Sequence, residues 1–266
     1  MSHTPILLLG AGRLGGALLE GWRRTGAFAP ADLIVRDPQP GAAALAAVEG
    51  GAKLNPTEAE LGRARTVLLA VKPQLWRDAA RDLAAHLSPE AVIVSVAAGV
   101  RADDIAEVFG RPAARVMPIT AVAVAKGAGA VVSSDARARA AAHALFDPVG
   151  VLVDLEDEAM MDAVTGVCGS APAYLYAFTE ALEAAGEAQG LPREAAQALA
   201  RATMAGAAAL MAASGEEPAE LRRQVTSPNG TTEAALKVLM GTEGLGPLLR
   251  EAVAAATNRS RELSKS

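Results

Sequence analysis

Residues Ile6-Leu7-Leu8-Leu9-Gly10-Ala11-Gly12-Arg13-Leu14-Gly15 put a short apolar run directly before a Gly-x-Gly-x-x-Gly turn, and that turn directly before a helical pattern, Leu14–Arg24. Few local patterns constrain a fold more. A strand covered on both faces reads as a continuous apolar run rather than an alternating one. Gly10 permits the tight turn, Gly12 lets the backbone approach a pyrophosphate, and Gly15 lets helix and strand pack closely. The start of the helix then offers unpaired N–H groups to an anion. Glycine-rich turns also arise for structural reasons alone. With strand and helix both in place, however, the pattern predicts a dinucleotide site.

The same texture continues downstream. Apolar runs recur at Leu33–Val35, Thr66–Val71, Val92–Val96, Arg115–Met117, Ala128–Val132 and Val151–Val153, with helical patterns such as Gly41–Glu49 and Leu75–His86 between the early ones. Strands alternating with helices predict βαβ units and a parallel, doubly wound, Rossmann-type sheet. After Asp154 the strand-like runs stop. Helical patterns follow at Pro172–Gln189, Pro192–Ala213, Pro218–Val225, Thr232–Met240 and Pro247–Leu263. At 266 residues the chain has room for two domains. We place the sheet domain at 1–155 and an all-helical domain at 156–266. Pro192–Ala213 carries small residues nearly all round, so it must be covered by a core or by another chain. That predicts an intertwined homodimer built on an all-helical dimerisation domain.

Composition excludes several classes. There are 25 basic and 30 acidic residues, net −5, so no basic excess exists to bind nucleic acid. Aromatics are 3% and the core must be aliphatic. Cys168 is the single cysteine, and His3, His86 and His143 have no ligand spacing. Neither a disulfide framework nor a metal site is expected. Mean hydropathy is +0.23, which alanine explains, and no run of about 18 residues is apolar enough to span a membrane. The N-terminus lacks the basic region of a secretory leader, so a cytoplasmic enzyme acting on a small molecule is expected.

Three further features lie where strands end at the predicted ligand edge. Arg36-Asp37 closes the second strand. An acid there suits a ribose 2′-OH and a base suits a 2′-phosphate, so Asp37 argues for NADH and Arg36 for NADPH. Ala70-Val71-Lys72-Pro73 ends a buried run in a proline that must turn the chain. Ala97-Ala98-Gly99 puts small residues where a nicotinamide ring would lie. The candidate dinucleotide contacts are therefore Gly10, Ala11, Gly12, Arg13, Leu14, Gly15, Arg36, Asp37, Asn55, Ala70, Val71, Lys72, Pro73, Ala97, Ala98 and Gly99.

The most informative stretch of the second half is Val225-Thr226-Ser227-Pro228-Asn229-Gly230-Thr231-Thr232-Glu233. A helix stops, Asn229 and Gly230 supply residues that tolerate positive φ, and a new helix opens at the threonines. Hydroxyls beside the N–H groups of a helix start form a natural carboxylate site. Local chemistry leaves open an ordinary capped helix with Thr231 as the N-cap.

This stretch resembles the Val-Thr-Ser-Pro-Gly-Gly-Thr-Thr signature of the pyrroline-5-carboxylate reductase family. Gly169-Ser170-Ala171-Pro172-Ala173-Tyr174, Asp162-Ala163-Val164-Thr165-Gly166, Ala70-Val71-Lys72-Pro73 and Ala97-Ala98-Gly99-Val100 resemble further family segments, in order along essentially the whole chain. The resemblance implies NAD(P)H-dependent reduction of 1-pyrroline-5-carboxylate to L-proline, with NADPH the habitual donor and NADH usable. It also implies dimers, which can assemble into rings. Thr232 matches the active-site threonine. Ser227, Gly230 and Thr231 fall where the substrate carboxylate is held, and Glu158 matches an acidic position near the ring nitrogen. Otherwise Glu158 is a solvated member of the run Glu156-Asp157-Glu158.

Asn229 and Ala171 stand where the family has glycine, and Ile119 where it has asparagine. A β-hydroxyacid dehydrogenase of similar build would need a lysine in its long helices, and Pro172–Gln189 and Pro192–Ala213 contain none. A non-catalytic dinucleotide sensor would have no use for the Ser-Pro-Asn-Gly-Thr-Thr turn.

Overall fold

The structure, a computed structural model, describes residues 3–264. Met1–Gly169 with Ala256–Ser266 form one compact unit, and Ser170–Ala255 form a second.

The first unit is built on one eight-stranded sheet. Its strands are β1 (Ile6–Leu9), β2 (Leu33–Arg36), β3 (Lys53–Leu54), β4 (Thr66–Leu69), β5 (Val92–Ser95), β6 (Ala113–Pro118), β7 (Gly127–Val132) and β8 (Gly150–Leu155). They lie in the order β3-β2-β1-β4-β5-β6-β7-β8, which reverses direction beside β1 as in a doubly wound sheet. Alternate residues of the strands feed two separate cores. Ile6, Leu8, Val35, Leu68 and Val94 pack under α1 (Arg13–Thr25), α2 (Ala42–Glu49) and the later helix Ala136–Phe146. Leu7, Leu9, Ile34, Leu69 and Ile93 pack under α3 (Glu58–Leu61), α4 (Trp76–Leu83) and α5 (Ala102–Phe109). Ala136–Phe146 is α6. This two-sided burial is why the central strands β1, β4 and β5 read as nearly continuous apolar runs.

The sheet is not wholly parallel. β7 runs antiparallel to β6, with Arg115 opposite Val132, and β8 is parallel to β7. Only residues 119–126 join β6 to β7, while a parallel crossover takes about a dozen residues or more. The two-residue β3 and the single turn of α3 are too short to leave a periodic signal. Beyond β8 lie α7 (Met161–Val164) and a π-helical turn at Thr165–Gly169.

The second unit is all helical: α8 (Ala171–Ala188), α9 (Arg193–Ser214), α10 (Pro218–Gln224), α11 (Thr231–Leu239) and the first part of α12 (Leu245–Leu263). Gly190, at φ +93, follows the end of α8. Pro192 caps α9 rather than occupying its first turn. Among the described residues, no helix is long and apolar enough to cross a membrane.

Candidate active site

The glycine loop has the geometry its residues require. Gly10 N–H donates to the Arg36 carbonyl at 2.9 Å, and Gly16 N–H closes the first helical bond to Gly12 at 2.8 Å. A Cβ on Gly15 would collide with the Gly10 carbonyl oxygen, so α1 could not sit so close to β1 with any other residue there. A Cβ on Gly12 would meet no protein atom within 4 Å. The loop therefore faces open space, where a pyrophosphate approaches in this fold. The N–H groups of Gly12, Arg13 and Leu14 have no partner among the described residues. Unpaired donors, an open approach and a helix N-terminus fit a dinucleotide.

Asp37 does something the sequence does not disclose. Its Oδ2 accepts from Ala11 N–H at 2.7 Å and its Oδ1 from Gln39 N–H at 2.7 Å. The carboxylate thus ties the end of β2 to the glycine loop. Asp37 N–H donates in turn to Asn55 Oδ1 at 3.0 Å, and Asn55, at φ +47, is anchored by its own N–H on the Val35 carbonyl. Arg36 has no such engagement. It lines a cleft of about 560 Å³ with Pro38, Asn55 and Pro56, among others, and pairs with no carboxylate among the described residues. Lys72 is exposed, at the turn where Pro73 ends the β4 segment. Ala97 is buried and Gly99 half-buried in the loop after β5, where Ala97 N–H donates to Ser95 Oγ at 3.2 Å.

Glu158 lies in the first unit and is not solvated. Its Oε1 accepts from Arg115 Nη1 at 2.6 Å, and the two side chains are 13% and 7% exposed. Arg115 sits in mid-sheet on β6, 43 residues away, so no sequence pattern could announce the pair. Cys168 is half-buried and burial pushes its thiol pKa up, the reverse of what a reactive thiolate needs.

The turn before α11 lies in the second unit. Its N-cap is Gly230, and Thr231 is the first helical residue rather than the cap. The reason is steric: Gly230 N–H closes on the Ser227 carbonyl at 3.1 Å, and a Cβ at Gly230 would collide with Ser227 Oγ. Asn229 adopts φ +58, the conformation that glycine or asparagine tolerates. Its N–H donates to Glu233 Oε2 at 2.6 Å. Glu233 is the third residue of the helix, the usual place for an acid that reaches back to the turn, and that spacing was the available signal. Lys237 stands 3.4 Å from the same carboxylate. The N–H groups of Thr231, Thr232 and Glu233 have no partner among the described residues. With the hydroxyls of Thr231 and Thr232, they form a donor-rich end suited to a small carboxylate. Among the described residues, no cluster of three or more His, Cys, Asp and Glu is placed to hold a metal.

Comparison with known proteins decides the family. Over its whole length the chain is 40% identical to the pyrroline-5-carboxylate reductase of Pseudomonas aeruginosa, covering 98% of that protein. The chain belongs to the pyrroline-5-carboxylate reductase family. It is 36% identical to the Pisum sativum reductase, over 99% of this chain and 100% of that one. The family model described as pyrroline-5-carboxylate reductase dimerisation matches residues 158–263. Another, described as NADP oxidoreductase coenzyme F420-dependent, matches residues 5–99. A solved pyrroline-5-carboxylate reductase from Coxiella burnetii superposes with a TM-score of 0.90 at 29% identity, covering 100% of both chains. This reductase is thus an oxidoreductase using a nicotinamide cofactor, and it carries the oligomerising helical domain of its family.

Proposed function

We propose that this chain reduces 1-pyrroline-5-carboxylate to L-proline with NADPH, the last step of proline synthesis, and that Thr232 acts at the imine nitrogen. The observation that carries the residue assignment is the start of α11. N–H groups without partners among the described residues stand there beside two threonines, after a turn held by Ser227, Gly230 and Glu233. NADPH supplies the hydride for the imine carbon. Thr231 and Thr232 N–H groups, with Ser227 and Gly230 shaping the turn, hold the substrate carboxylate. The Thr232 hydroxyl, at the second position of the helix, donates to the imine nitrogen as it gains electron density. Family resemblance gives Glu158 a part near the ring nitrogen; its Oε1 is already engaged by Arg115.

The choice of NADPH is supported by the division of labour at the end of β2. Asp37 is bound to the backbone of the glycine loop, while Arg36, unpaired among the described residues, is the group suited to a 2′-phosphate in a cleft it shares with Asn55, Glu58, Asp82 and His86. In this reading the glycine loop, Lys72 and Ala97–Gly99 line the remainder of the dinucleotide. The enzyme works in the cytoplasm as a homodimer, and a ring of dimers is compatible with its family.

The test is Thr232→Ala. Loss of a general acid–base group lowers kcat about 100- to 10,000-fold, and the defect grows as pH rises because less substrate is protonated in solution. Thr232→Ser retains most activity. If Thr232 serves only the helix end, kcat stays near normal and the protein loses about 1 kcal/mol of stability. In the same assay kcat/KM for NADPH exceeds that for NADH; the reverse order would return the choice to Asp37.

A further inference from the structure

We infer that the last turns of α12 are a strut that holds the loop after β5 in shape for the dinucleotide, with Ser260 and Asp162 as its positioning residues. The inference rests on the reading of Gly99 as part of the dinucleotide site. The end of α12 belongs to the sheet unit, apart from the rest of the helix. Thr257 and Ser260 share one face of α12, and Ser264, the residue just past its end, keeps the spacing because its N–H and its Oγ both donate to the Ser260 carbonyl at 3.0 Å. Thr257 is buried on this face, 8% exposed. Ser260 Oγ donates to Asp162 Oδ1 at 2.6 Å across 98 residues of sequence. Ser264 reaches the other end: a Cβ built on Gly99 would lie 3.4 Å from its Oγ, and Gly99 adopts φ +74. One helix face thus meets Asp162 and Gly99 together.

Both contacts are referred to one stretch of sheet. Gly99 follows Ser95, the last residue of β5, and Ser95 pairs in register with Arg115 on β6. Arg115 holds Glu158, which begins the short segment that carries Asp162. The circuit closes through the helix face. That face carries three hydroxyls, of which Thr257 is buried, Ser260 half-buried and Ser264 exposed. A hydrogen bond to a carboxylate is directional and roughly twice as strong as one between neutral groups, so it fixes the rotation and height of the helix end as well as its attachment. A loop whose backbone must present small residues to a flat ring gains from such a fixed backstop.

The experiment is a titration of the full-length wild type, Ser260→Ala, Asp162→Asn and Ser260→Thr with NADPH, together with kcat at saturating cofactor and melting temperature. Ser260→Ala and Asp162→Asn each weaken NADPH about five- to tenfold, the low end of coupling between linked sites. Ser260→Thr keeps the hydroxyl and stays near wild type. The double variant Ser260→Ala/Asp162→Asn is no worse than Ser260→Ala, because once the hydroxyl donor is gone residue 162 has no contact left to lose; Asp162→Asn alone keeps an acceptor oxygen and removes only the charge. In all of them kcat at saturation stays within about twofold. A lowered melting temperature with NADPH affinity within about twofold of wild type overturns the strut and leaves a stability contact only. A fall in kcat at unchanged NADPH affinity overturns it as well. If the wild type itself binds no NADPH, the cofactor reading fails and the strut with it. If the wild type binds and the Ser260→Ala and Asp162→Asn proteins bind equally well, the strut alone fails.

Discussion

The sheet unit and the helical unit treat their apolar residues in opposite ways. In the first, Leu7, Leu8, Leu18, Trp22, Leu68, Ile93 and Leu145 are fully buried, and both faces of the sheet are closed by helices of the same chain. In the second, α8 has no buried residue and α9 has only Ala196 and Ala200. Leu175, Tyr176, Leu199 and Leu210 are each more than half exposed. One unit completes its core alone, while the other presents apolar surface of the kind that marks an interface. The match of residues 158–263 to a dimerisation family names the occupant as another copy of the chain. A sequence can therefore be equally apolar in two halves for two reasons, one satisfied within the chain and one between chains.

The largest effect that sharpens this contrast is expected at Trp22. Its Nε1 donates to the Leu145 carbonyl at 2.8 Å, and its ring meets Phe28 edge-on with centroids 5.2 Å apart. Trp22→Ala removes that packing and leaves a cavity, and chemical denaturation should register a loss of about 3–5 kcal/mol. Because the site is internal to one chain, the loss should be independent of protein concentration. A concentration-dependent loss would break the contrast.

Next in size is Leu199→Glu on α9, where the exposed apolar face takes a charge. At a packed interface centre such a change weakens association by about 2–4 kcal/mol. Sedimentation should show the dimer dissociating at micromolar concentration while the sheet unit stays folded. An unchanged mass would take this face of α9 out of the interface.

The smallest effect concerns His143, on α6 in the sheet unit. Burial lowers its pKa, but hydrogen bonds to Asp147 and Asp154 and their charges outweigh burial, and the net shift is upward. A raised folded pKa gives stability that is complete below the unfolded value, near 6.5, and is lost as pH rises through the folded value. Melting temperature should fall across that window, by an amount in keeping with a surface pair of about 0.2–1 kcal/mol. His143→Ala should flatten the curve. A pH profile that His143→Ala leaves unchanged would assign the dependence to another group.

The parts of the fold that could be read in advance are those whose causes are near in sequence. β1, the glycine turn and α1 are consecutive, and Gly15 answers to the Gly10 carbonyl five residues before it, although Gly10 itself also faces the Ala70 carbonyl. The turn from Ser227 to Thr232 is local in the same way, although Gly230 rather than Thr231 takes the cap because Ser227 Oγ fills the space beneath it. The antiparallel direction of β7 differs from the parallel expectation because an apolar run carries no direction; only the short connection at 119–126 does. Asn55 could be named but not explained until its carbonyl was seen to hold Asp37.

By itself the sequence determined the order of elements, the strand–glycine loop–helix unit, the two-part texture and the donor-rich turn before α11, since each follows from periodicity, backbone sterics and capping within about one turn of chain. Only the tertiary structure decided that Asp37 binds the glycine loop, that Arg115 neutralises Glu158 across the sheet, and that Ser260 reaches Asp162. Those contacts join residues 26, 43 and 98 positions apart. Which polar group meets which at such separations is set by sheet order and helix placement, because a buried or half-buried carboxylate takes whatever donor the fold brings within hydrogen-bond distance.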